Sequence, residues 1–104
     1  MTVYIGINEE DVEDTGGAQF TNYSFWNLKE KIYETLTKEE AIKYSLFIGL
    51  MSGGEVHGKD LDKFVIELNG LIEKLADDYS KLILSDILNV AKYAKDEGKN
   101  IIMN

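Results

Sequence analysis

Apolar positions recur along this chain with two different periods. At the amino end Thr2-Val3-Tyr4-Ile5-Gly6-Ile7 places Val3, Ile5 and Ile7 on one face of a two-residue repeat, which predicts a strand. Near the other end Ile101-Ile102-Met103 predicts a second, shorter strand. A lone strand leaves its backbone donors unpaired, so the two are expected to pair with each other, in a direction the sequence leaves open.

Between them the spacing is helical. Residues 8–20 read as a polar loop ending in Gly16-Gly17-Ala18, and Ser24 is the expected N-cap of a helix over 25–36. Leu28, Ile32 and Leu36 fall on one side of that helix, and Trp26, Lys29 and Tyr33 on the other. Thr37 and Glu40 have the spacing of a capping box, which opens a second helix over 38–51. Ile42, Leu46 and Leu50 form its expected apolar stripe, and Gly53-Gly54 its stop. Leu61, Phe64, Val65, Leu68, Leu71, Ile72 and Leu75 predict a third helix beginning at Asp60. Gly70 lies inside it at a cost of about 1 kcal/mol against alanine, which predicts close packing or a bend. A break near Asp77-Asp78 leads to a fourth helix over 79–97, with one long bent helix as the alternative. Leu82, Ile83, Ile87, Val90, Ala91 and Ala94 make its apolar face, interrupted by Asp86, and Gly98 ends it. The expected fold is α+β: one mainly helical domain over residues 1–104, about four helices, with the N-terminal strand paired to the C-terminal strand.

Charge changes this picture more than composition does. The chain holds 19 acidic residues against 11 lysines and no arginine, a net charge of −8. Such a field repels nucleic acid and anionic bilayers, and the arginine forks that grip phosphate are missing. Glu9, Glu10, Asp11, Glu13 and Asp14 alone carry more than half of the net charge, in a segment with no lysine. Those carboxylates would steer a basic protein partner, or simply keep the chain soluble. The first strand is short and lacks a basic leader, and no apolar run reaches the roughly 20 residues a bilayer needs, so the expected location is the cytoplasm.

Three candidate chemistries fare poorly. Gly49 and Gly54 have the spacing of a phosphate loop, but Glu55-Val56 stands where lysine and a hydroxyl are required. Asp11-Val12-Glu13-Asp14-Thr15-Gly16 opens like a calcium loop, yet its twelfth position is Asn22. His57 beside Glu55 could exchange a proton, but no nucleophile or anion cradle attaches to the pair, and zero cysteines exclude thiolate chemistry. No catalytic residue, metal site or cofactor is expected. Tyr23, Phe25 and Trp26 cluster around the first helix start; core packing is the ordinary account, and an exposed anchor beside acidic charge is the alternative.

The opening strand with its acidic continuation, the segment Asn22-Tyr23-Ser24-Phe25-Trp26 leading into a helix, and the ending Ala91-Lys92-Tyr93-Ala94 through a glycine to Asn100-Ile101-Ile102-Met103 occur in a telling order. In this the chain resembles the bacterial immunity proteins of polymorphic-toxin systems numbered seventy in that series. The resemblance implies neutralisation of a cognate toxin by direct binding, without catalysis. The expected contact set is Glu9, Glu10, Asp11, Glu13, Asp14, Tyr23 and Trp26, facing a toxin or effector with a basic surface. The rival expectation is a phage-type acidic decoy that imitates nucleic acid to block a host defence protein. It needs regular rows of carboxylates, which Lys29, Lys31, Lys38 and Lys43 interrupt. An enzyme built on Glu55 and His57, or self-association through the third helix, stands further back.

Overall fold

In the computed structural model, residues 2–7 and 17–103 are described. Strand β1 (Thr2–Ile7) turns Ile5 and Ile7 into the core, as its two-residue period requires. It pairs antiparallel with β4 (Ile101–Met103), Ile5 opposite Met103 and Ile7 opposite Ile101, so the expected terminal pairing forms and its direction is fixed. Two further strands complete an antiparallel sheet in the order β2-β1-β4-β3. Strand β2 (Ala18–Thr21) lies in and just beyond the stretch expected to be loop; its Phe20 pairs with Val3 and is buried. Strand β3 (Glu55–Val56) is two residues long and pairs Val56 with Ile101. The fold is therefore α+β, with a four-stranded sheet where two strands were expected.

Helix α1 spans Asn22–Thr35, three residues earlier than Ser24 suggested. Thr21 is the cap: its Oγ1 accepts the Ser24 amide at 3.0 Å. Ser24 instead sits one turn in and largely buried, because its hydroxyl meets other partners.

The single helix expected over 38–51 is two. Helix α2 (Lys38–Lys43) begins with the capping box, Thr37 accepting the Glu40 amide and Glu40 accepting the Thr37 amide. It ends at Tyr44, whose φ of −115° and ψ of 30° break the helical path before α3 (Ser45–Met51). Two contacts explain the break. Tyr44 turns inward so that its ring lies against Gly70, where a Cβ would sit 3.0 Å from the phenol oxygen. Glu67 then supplies the acceptor that Tyr44 lacks as a cap, its Oε1 receiving the Phe47 amide at 3.1 Å. The interruption swings Ile42 away from its expected stripe into solvent, while Leu50 is buried and Leu46 partly so.

Helix α4 (Leu61–Lys74) buries Leu61, Phe64, Leu68 and Leu71 in the expected register, and Leu75 just beyond it is buried too. Phe64 stacks on Phe47 of α3 with ring centres 6.2 Å apart. Close packing, rather than a bend, is what Gly70 provides. The break before α5 (Asp78–Glu97) is real, since Asp77 caps α5 by accepting the Ser80 amide at 2.6 Å. Gly98 closes α5 with a left-handed φ of 67°. Helices α4 and α5 pack side by side, and α5 also lies against β1. On the exterior Lys74 of α4 bonds Glu40 of α2, and its ammonium holds the Glu40 carboxyl below its ordinary range.

Candidate functional site

Helix α1 commits Phe25, Leu28 and Ile32 to the core, together with Ser24. At about 100° per residue, everything opposite those positions must face outward. Round that outward side the order is Tyr33, Trp26, Glu30, Tyr23 and Glu34, an arc of about 100°. Tyr23 is 74% exposed and Trp26 57%, and Tyr33 is more than half exposed. Of the three aromatic residues around the helix start, Phe25 takes the interior and the other two take solvent. Core packing of Trp26 is thus corrected to exposure, because the aliphatic residues already occupy the inner face.

The start of α5 meets the first turn of α1 on its buried side, at Ser24. Thr21 Oγ1 donates to Ser24 Oγ at 2.9 Å, and Ser24 Oγ in turn lies 2.5 Å from the Tyr79 hydroxyl. This short relay ties the first turn of α1 to the first turn of α5. Tyr79 and Leu82, one helical step apart, are both more than half exposed. Leu82 was expected on the apolar face; Ile83 and Leu84 take the buried side instead, and Leu82 is left outside.

Three surface carboxylates lie within reach of a basic side chain. Glu40 is bonded to Lys74, Asp62 lies 2.5 Å from Lys95, and Glu55 lies 3.7 Å from His57. Among the described residues Glu30 and Glu34 make no ion pair. Asp77, at the α5 cap, has its carboxyl held below the ordinary range by its bonds to the Ser80 side chain and amide, with the Lys31 ammonium adding to the effect.

Glu9, Glu10, Asp11, Glu13 and Asp14 lie outside the described residues, as does the segment that opens like a calcium loop. Tyr23 and Trp26 are brought onto one surface. Sequence reasoning passed over Glu30, Glu34, Tyr79 and Leu82. The wheel of α1 carried the signal for the first two, whereas the meeting of α1 and α5 through Ser24 and Tyr79 spans 55 residues and leaves no local trace.

Two other features are candidates of lesser reach. Glu55 of β3 and His57 just after it are both exposed, and the segment is anchored by the Gly58 amide, which donates to Asn100 Oδ1 at 2.7 Å. An open polar depression of about 290 Å³ lies where Gly17, Ala18 and Gln19 meet Asp86, Asn89 and Val90 of α5. No described helix is long and apolar enough to cross a membrane.

Fold and site together describe a small α+β domain that presents an aromatic and acidic helix face to solvent. Comparison with protein-family models, with curated proteins and with solved structures returns no match for this chain.

Proposed function

We propose that this chain is a cytoplasmic immunity-type inhibitor that binds a cognate bacterial toxin with a basic surface and blocks it by occlusion. The observation that carries the reading is the joint exposure of Tyr23 and Trp26 on the outward side of α1. Large aromatic side chains left in water beside acidic charge have the composition of interface anchors, and they bury much area at small entropic cost. A net charge of −8 supports a basic partner, since complementary fields raise the rate of encounter. In this reading the carboxylates at 9–14 steer the approach and the aromatic pair holds the complex. Toxins that act on nucleic acids need basic active sites, and an acidic inhibitor competes for the same field.

The α1 face favours this reading over a nucleic-acid decoy. Its carboxylates alternate with aromatic rings rather than repeating as a regular row.

The test is growth rescue. Cells expressing a toxin encoded beside this chain should survive when the wild-type chain is co-expressed. The double variant Tyr23→Ala, Trp26→Ala should bind that toxin at least about tenfold more weakly and protect poorly, with an unchanged midpoint of thermal unfolding. Equal protection by the variant, or no complex with the toxin at all, would refute the proposal.

A further inference from the structure

We infer that the outward side of α1 forms a docking surface for an arginine-bearing segment of a protein partner. The inference deepens the inhibitor reading and takes from it only that the partner is a protein.

Its first support is the order of side chains round α1. Tyr33, Trp26, Glu30, Tyr23 and Glu34 follow one another without a lysine between them. Lys29 and Lys31 fall to either side of the arc, and the Lys31 charge already acts on Asp77. A guanidinium is the group that suits this alternation. It stacks its plane on an aromatic ring while its N–H groups fork onto a neighbouring carboxylate, which an ammonium does less well.

The second support is that the carboxylates are available. Glu30 and Glu34, like most surface carboxylates among the described residues, make no ion pair within the chain, so a partner's cation can meet them without displacing an internal one. The third is rigidity. The relay from Thr21 through Ser24 to Tyr79 ties the inner side of α1's first turn to α5, which holds the outward arc in place. Preorganisation of this kind raises affinity by lowering what binding must freeze out.

Charge also selects against the other occupants. A second copy would bring the same unpaired carboxylates face to face, on chains of charge −8. An anionic bilayer or a nucleic acid would be repelled by the same field.

Trp26 is the sole tryptophan, so its fluorescence reports directly on this surface. The full chain is titrated with a helical peptide of leucine and alanine carrying arginines at three- and four-residue spacing, and with the same peptide carrying neutral citrulline instead. Trp26 emission should shift saturably with the arginine peptide, and citrulline should weaken binding by about tenfold or more. The variant Glu30→Gln, Glu34→Gln should also bind about tenfold more weakly, with unaltered circular dichroism. Equal binding of both peptides, or unaltered affinity of that variant, overturns the inference. So does a Trp26 shift produced by raising the concentration of the chain alone, or by zwitterionic vesicles. Peptide binding without toxin neutralisation would leave this surface standing and remove the inhibitor reading. Neutralisation undisturbed by Glu30→Gln, Glu34→Gln would do the reverse.

Discussion

Glu67 is a carboxylate on an apolar stripe, and its two oxygens fare differently. Oε1 receives the Phe47 amide at the start of α3, whereas Oε2 is buried with no hydrogen-bond partner among the described residues. Burial pushes its carboxyl above the ordinary range, against the opposing pull of the Phe47 amide and the Lys63 charge. The folded chain therefore keeps this proton at pH values where the unfolded chain has released it. The stability owed to that proton is complete below the unfolded value and is lost as pH rises through the folded one. Glu67→Gln keeps an acceptor for Phe47 and removes the desolvated charge. It should unfold at the same temperature as wild type at pH 3 and at a higher one at pH 7, as measured by thermal melts across that range. Glu67→Ala strands the amide and should cost about 1–3 kcal/mol at both. The position of Glu67 was legible, since it falls between Phe64 and Leu68 on the buried stripe. Its purpose was not, because the amide it satisfies lies 20 residues upstream.

At the scale of elements, periodicity served best where an element buries a long face. Helix α4 and the burial of its leucines follow directly from spacing, and the caps at Thr37 and Gly98 were readable from two or three residues each. Strands β2 and β3 escaped because they are short and lie beside glycines; what makes them strands is a partner found far along the chain. The split of α2 from α3 escaped for a related reason. Nothing near Tyr44 opposes a helix, and only its contact with α4 does. Gly98 offers a clean check on the capping argument. Its φ of 67° is strained for any residue with a Cβ, and no atom of the described residues crowds the position, so Gly98→Ala should cost about 1 kcal/mol in denaturant unfolding through backbone conformation alone.

The molecule as a whole carries its charge as a field, and the field makes its own prediction. Replacing Glu9, Glu10, Asp11, Glu13 and Asp14 with neutral residues should slow association with a basic partner and flatten its dependence on salt. Dissociation should change little, because the aromatic face of α1 would still hold the complex. Stopped-flow binding at several ionic strengths separates the two, and unchanged association rates would remove that segment as the steering element. On the candidate site, sequence supplied the acidic and aromatic residue types. The three-dimensional arrangement added which rings point outward and which carboxylates are left without an ammonium partner.

The position of β4 between β1 and β3 has a consequence for how the chain is made. During synthesis β1 emerges first and can join only β2, and its other edge stays open while every helix is translated. Residues 101–103 then slot into the middle of the sheet and give β3 its neighbour. The sheet therefore cannot close in step with translation: β1 keeps an open edge until residues 101–103 are available, and only then do β1 and β3 gain the neighbour they share.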